Sequence, residues 1–157
     1  MKLPDGFAIR RASEQEIDTL LAHRRFMFRD MGYSDDAAMN DMAEKCKPWL
    51  LGKMKTGEYL AWLAIDSAGT VAAGAGLWLM DWIPHMIGKN TQRGNIINVY
   101  TEPKFRRRGL ARCLMGTAIQ WCRENGVDTI ILHASLEGRG LYESMGFAAT
   151  NEMRLSL

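Results

Sequence analysis

Asn98-Val99-Tyr100-Thr101, then Glu102-Pro103-Lys104-Phe105, then Arg106-Arg107-Arg108-Gly109-Leu110-Ala111: how this stretch is read decides the fold. Its first four residues have strand character, and Glu102-Pro103 stops it because proline supplies no donor to a ladder. After the arginines, Leu110, Leu114, Ala118, Ile119 and Cys122 fall on one helical stripe that Gly126 ends. A strand, a basic glycine-bearing bend and a helix start are therefore adjacent. The first amides of a helix have no internal partner and the helix dipole is positive there, so such a bend can hold a phosphate through backbone N–H groups. Small residues at Gly109 and Ala111 let a pyrophosphate approach the backbone closely. Three arginines taken alone are the usual composition of a solvated face. No GKS or GKT follows, and GxGxxG is lacking, so this is neither a P-loop nor a dinucleotide fingerprint.

Upstream, Phe7 to Arg11 alternates like a short half-buried strand, and Ser13 with Glu16 has the form of a capping box. Ile17, Leu20, Leu21, Arg24 and Phe28 then keep helical spacing up to Gly32. A second helix is expected over about 34–47, with Met39, Met42 and Cys46 on one side and a break or a new short helix at Pro48. Tyr59 to Asp66 and Thr70 to Leu79 read as antiparallel strands around the turn Ser67-Ala68-Gly69. Asp81 to Arg93 carries Pro84, Gly88 and Asn90 with little periodicity and reads as a long surface loop before the strand Asn95 to Thr101. Downstream come a strand, Thr129 to Ala134, and a helix, Leu136 to Met145, closed by Gly146. The last dozen residues are expected to add one or two strands. The order is mixed β and α, without repeat, linker or low-complexity segment.

The chain has 157 residues, enough for one domain over 1–157, and at that size roughly 70% of the unfolded surface can be buried without staples. A net charge of +2 is too small to argue for a nucleic-acid or membrane surface. Cys46, Cys113 and Cys122 are odd in number and lack CxxC or Cys/His spacing, so neither a disulfide framework nor a metal site is expected. No apolar h-region follows Met1 to Gly6, and the apolar stretch Ala61 to Met80 is cut by Asp66, Ser67 and Gly69. A cytoplasmic protein is expected.

Arg106 to Ala111 fits the acyl-CoA signature [QR]xxGx[GA], and Leu141-Tyr142-Glu143-Ser144-Met145-Gly146-Phe147 fits the pattern LYxxxGF. With both motifs in β-α-β-α order, the chain resembles the GNAT N-acetyltransferase superfamily. That resemblance implies an α/β fold: a mixed, mostly antiparallel sheet of six to seven strands flanked by about four helices, with strands 4 and 5 splayed around pantetheine. It implies an N-acetyltransferase that moves an acetyl group from acetyl-CoA to a primary amine in a ternary complex. The backbone of Val99, Tyr100 and Thr101 would meet the pantetheine amides and the thioester oxygen. Arg106, Arg107, Arg108, Gly109, Leu110, Ala111 and Arg112 would surround the pyrophosphate, and Ser135 would make a polar contact to the cofactor. No metal, nucleic acid or membrane enters this scheme, and a homodimer is left open.

The chemistry asks for an oxyanion donor and for proton transfer to the departing thiolate. Tyr142 matches the family's tyrosine acid, and an unperturbed pKa near 10 keeps it protonated at neutral pH. Relatives that modify histones carry a glutamate where this chain has Asn95, so the base stays open among Glu102, Asp81, His85, His133 and water. The acceptor side is expected around 26–33 and 80–92, with Trp78, Met80, Trp82 and Met86 as wall or as packing and Asp30 and Asp81 as attractors of an ammonium. Ile97, Val99 and Ile131 are expected between the splayed strands, leaving room for a small acyl group. Competing readings are a catalytically silent acyl-CoA sensor and a nucleic-acid binder using the arginines, the latter lacking stacking aromatics other than Phe105.

Overall fold

The computed structural model describes residues 2–86, 88 and 90–156; Met1, Ile87, Lys89 and Leu157 lie outside them, so the expected loop over 81–93 is described without two of its members. In chain order the elements are β1 (Phe7–Arg11), a 3-10 turn (Glu14–Glu16), α1 (Ile17–Asp30), α2 (Asp36–Lys55), β2 (Tyr59–Asp66), β3 (Val71–Asp81) and β4 (Gln92–Thr101). A second 3-10 turn (Pro103–Phe105), α3 (Leu110–Glu124), β5 (Ile130–Leu132) and α4 (Leu136–Glu143) complete them. The strands form one sheet in the order β1-β2-β3-β4-β5. The first three pairings are antiparallel and the last is parallel.

Alternation along β2 explains the layering. Leu60, Trp62 and Ala64 point to one face, where they pack with Leu110, Leu114, Met115, Ala118 and Cys122 of α3. Tyr59, Ala61 and Leu63 point to the other, where they meet Ile17, Leu20 and Leu21 of α1 and Leu50 of α2. A strand covered on both faces reads as a continuous apolar run rather than an alternating one, which is how β2 and β3 appear in the sequence.

Three expectations are corrected. Pro48 does not end the second helix; α2 runs through it to Lys55. Losing one helical hydrogen bond there costs about 3 kcal/mol. The continuation buries Leu50 completely, which contributes roughly 1.5–3 kcal/mol, and sets the partly exposed Trp49 edge-on to Trp78 at 5.0 Å. The loop after β3 is shorter than expected, because Met80 and Asp81 pair with Arg93 and Gln92 and carry the hairpin further out. The sheet has five strands among the described residues, not six to seven. Residues 148–156 form no strand, and Met153 and Leu155 stay 94% and 83% exposed. Apolar alternation at Met153 and Leu155 is not matched by a ladder: the open edge of the sheet there is β5, only three residues long, which offers few hydrogen bonds to a further strand.

Two irregularities shape the end of β4. Gly94–Ile96 pairs with Ile130–Leu132, and beyond Ile96 the two strands part, so residues 97–101 have no strand partner on the β5 side. On the β3 side Ile97 pairs with Gly76 and Tyr100 with Gly74, which sets Asn98 and Val99 together against Ala75. This is a β-bulge, with Asn98 in the left-handed region at φ 56°. No helix of the described residues is long and apolar enough to cross a membrane.

Candidate active site

A cleft of about 570 Å³ lies between the end of β4, the start of α3 and the face of α4. Its walls hold Val99, Tyr100 and Thr101 from β4, Arg106, Arg107, Gly109, Leu110, Ala111 and Arg112 from the bend and α3, and Ser135 and Tyr142 from α4 and its cap. Arg108 is the one expected cofactor residue that does not line it; its guanidinium sits 5.6 Å from the Phe105 ring. Met27, Asp30 and Met31 of α1 and its end close the remaining side.

The bend is built for backbone presentation. Gly109 takes φ 82° as the residue before α3, and Arg107 takes φ 63°, a region that side-chain-bearing residues enter at a cost. An ideal Cβ on Gly109 meets nothing within 4 Å, so the requirement for glycine here is conformational. The first intrahelical bond runs from Cys113 N–H to Gly109 O at 3.1 Å, which leaves the N–H groups of the first turn without helical partners. No acidic residue occupies that turn, and neither Arg107 nor Arg108 is ion-paired among the described residues.

Arg106 faces another way. It pairs with Asp30 at 2.5 Å and donates through Nε to Thr101 O at 2.9 Å, tying α1 to the end of β4. Arg112 donates to Ser144 Oγ and so braces α4. Ser135 caps α4, its Oγ accepting from Gly138 N–H at 3.1 Å. Its remaining O–H is a donor at the cleft wall.

Tyr142 lies half-buried, with its ring edge-on to Phe147 at 6.2 Å and across Gly138, where a Cβ would come within 2.9 Å of the ring. Burial raises its pKa, so the phenol holds its proton through the neutral range. Tyr100 is also raised, chiefly by burial and then by Glu102 and Asp30. Its ring stacks obliquely on His23 and Phe26 at 5.1 and 5.8 Å.

The base candidates are not brought together. Asp81 is exposed at the end of β3, His85 is exposed in the following loop, and His133 is exposed and lies 3.7 Å from Glu152. Glu102 is half-buried at the end of β4 and does not line the cleft. On the expected acceptor side, Asp30 is engaged with Arg106, Trp78 packs against Trp49, Trp82 lies under Arg93 at 4.1 Å, and Met86 is 89% exposed. Of Ile97, Val99 and Ile131, only Val99 reaches the cleft; the bulge leaves Ile97 on the α1/α2 face of the sheet.

Two residues beside the site escaped sequence reasoning. His23 is 3% exposed, its Nδ1 has no hydrogen-bond partner, and burial lowers its pKa to about 4. It packs so closely on Gly74 that a Cβ there would come within 2.7 Å of Nδ1. Asn98, buried at the bulge, was signalled by an asparagine inside a strand whose neighbours Ile97 and Tyr100 pair with Gly76 and Gly74, since asparagine and glycine are both depleted in strands.

Residues 21–147 match the model of the Acetyltransferase (GNAT) family. The chain is similar to a GCN5-related N-acetyltransferase from Ralstonia eutropha JMP134, at 32% identity and a TM-score of 0.91, covering 97% of this chain and 99% of that one. It is also similar to a predicted acetyltransferase from Clostridium acetobutylicum, solved with acetyl-CoA, at 26% identity and a TM-score of 0.87, covering 96% and 95% of the two chains. Human N-acetyltransferase 8B is 28% identical over 123 residues, which are 76% of this chain and 50% of that protein. The chain thus spans half or less of the length of the human relatives it matches.

Proposed function

Because the chain belongs to the GNAT acetyltransferase family, we propose that it transfers an acetyl group from acetyl-CoA to a primary amine of a small molecule, a peptide or a protein. Both substrates are bound together and the amine attacks directly. Residues 1–157 act in this as a single domain, and the three free thiols Cys46, Cys113 and Cys122 favour the reducing cytoplasm. The observation that carries the reading is one cleft lined by three separated features: strand backbone free on the β5 side, unpartnered amides at the start of α3, and the Tyr142 hydroxyl.

These residues fit the co-substrate. A diphosphate needs N–H donors and positive charge, which the first turn of α3 offers beside Arg107 and Arg112. An extended amide-bearing arm needs a strand edge, which residues 97–101 present where β5 turns away. When bound, acetyl-CoA supplies the thioester that the amine attacks. The chain's own groups then have two tasks. A backbone N–H of Val99–Thr101 stabilises negative charge at the carbonyl oxygen, and Tyr142 holds a proton for the departing sulfur.

The test is thiol release from acetyl-CoA in the presence of an amine panel of polyamines, aminoglycosides, amino acids and peptide N-termini. Amine-dependent release with formation of the acetylated amine is expected for at least one class. Tight acetyl-CoA binding without amine-dependent release from any class would make the chain a silent sensor.

A further inference from the structure

A chain of polar contacts runs from α1 through β4 to β2 behind the cleft. Arg24 Nη1 donates to Asn98 Oδ1 at 2.7 Å, and Asn98 Nδ2 donates to Tyr59 Oη at 3.2 Å. Asn98 is 6% exposed and Tyr59 is 2% exposed. A guanidinium has donors only, so the amide must turn its oxygen to Arg24 and its nitrogen to Tyr59. Both ends of the side chain are therefore tethered.

The tethered residue is the one that bends β4. Asn98 sits at φ 56°, and the extra residue of the bulge resets the alternation of the strand. Before it Ile97 faces α1 and α2; after it Val99 faces the α3 side and lines the cleft. Without the bulge the period of two would send Val99 to the face that Ile97 occupies. Burial beside β3 also shapes the tether. Tyr59 lies across Gly76, the residue paired with Ile97, so closely that a Cβ there would meet the phenol oxygen at 2.1 Å.

Arg24 has no second hydrogen-bond partner among the described residues. Among the described residues it forms no ion pair, its Nε has no partner, and its guanidinium stacks 5.0 Å from the Phe28 ring. A partly buried cation without a counter-ion is costly, and its one hydrogen bond goes to the residue that sets the bulge.

We propose that Arg24 and Tyr59 are positioning residues which, through Asn98, hold the β4 bulge that aims the Val99–Thr101 backbone at the thioester carbonyl. The proposal rests on the acetyl-CoA reading given above. Loosening the tether lets the donor drift from the carbonyl oxygen, and a displacement near 1 Å costs about 10²-fold in rate. Acetyl-CoA affinity, set mostly by the start of α3, changes little.

The test uses acetyl-CoA labelled with ¹³C at the thioester carbonyl, whose signal moves downfield when an N–H polarises the bond. Arg24→Met is expected to return the bound signal toward its free position. With the best amine of the panel it lowers kcat about 10²-fold and changes the KM for acetyl-CoA by less than about threefold. Glycine enters the left-handed region without help from a side chain. In an Asn98→Gly background, Arg24→Met is therefore expected to shift the signal no further and to change kcat by less than about twofold. Tyr59→Phe, which keeps the ring over Gly76, repeats the pattern and carries the test if Arg24→Met does not fold. Equal effects of Arg24→Met or Tyr59→Phe with and without Asn98→Gly overturn the proposal while leaving the acetyl-CoA reading intact. So does a variant whose signal and kcat match the parent. A parent protein that binds acetyl-CoA without moving the carbonyl signal, or does not bind it, overturns the acetyl-CoA reading and the proposal together.

Discussion

The chain up to Val127 and the stretch from Asp128 to Ser156 are built differently. Every fully buried residue belongs to the first, where both faces of the sheet are covered by helices. From Asp128 onward no described residue is buried, although the stretch contains Ile130, Ile131, Leu132, Leu141, Tyr142, Met145 and Phe147. The cleft lies on the seam between them. Its backbone donors and the start of α3 come from the well-packed part, and Tyr142 and Ser135 come from the lightly packed part. Under the proposed mechanism, the groups whose geometry must hold through the reaction sit on the well-packed side, whereas the proposed proton donor, Tyr142, sits where local opening is cheap.

Four expectations test that contrast, the largest first. Leu114→Ala, at a fully buried contact between α3 and the sheet, is expected to lower the free energy of unfolding in urea by about 2–5 kcal/mol. A smaller loss, near that of a surface change, would mean that the first part is not the tightly packed one.

Next is His23, neutral and buried beside Tyr100. Its folded pKa of about 4 lies below the ordinary 6.5, so between those values the unfolded chain binds more protons. Stability is therefore complete above pH 6.5 and falls as pH drops through the window, by about 3 kcal/mol once pH is below 4. Urea titrations of the parent and His23→Gln across pH 4–7 should show the extra acid-side slope in the parent alone. Parallel slopes would remove His23 from the account.

Gly109→Val forces a β-branched residue to φ 82°, a strain of about 1–3 kcal/mol. If the bend relaxes to escape it, acetyl-CoA affinity falls roughly 5–150-fold. Calorimetry with the folded variant measures this, and unchanged affinity would place the nucleotide elsewhere. The smallest effect is expected for Met145→Ala, half-buried in the turn after α4, about 1 kcal/mol. A loss equal to that of Leu114→Ala would erase the difference between the two parts.

The sequence made the cofactor side readable because the residues there carry local rules. Gly109 and Gly146 end or begin helices by entering the left-handed region, and the expected boundaries near them lie within two residues of those observed. The hairpin between β2 and β3 and the helix stripe of α3 were legible for the same reason. Features that depend on partners far along the chain were not. Pro48 reads as a stop until the burial of Leu50 is known, and the bulge at Asn98 needs Arg24 and Tyr59, 74 and 39 residues away. The strand count failed because alternation in 151–155 shows that a strand is possible, not that the sheet's edge, the three-residue β5, is long enough to hold it. The acceptor side stayed open because its aromatic residues are shared among packing contacts and no single motif orders them.

The central claim is acetyl transfer at this cleft with Tyr142 as the proton donor, and Tyr142→Phe tests it most directly. The variant keeps the ring against Phe147 and over Gly138 and removes the hydroxyl alone. At saturating acetyl-CoA and with the best amine of the panel, kcat is expected to fall about 10²–10⁴-fold, equivalent to roughly 3–5 kcal/mol of barrier, while acetyl-CoA affinity and the melting temperature stay near those of the parent. A kcat within about threefold of the parent, at unchanged affinity and with a burst of thiol release no slower than the parent's, would contradict it.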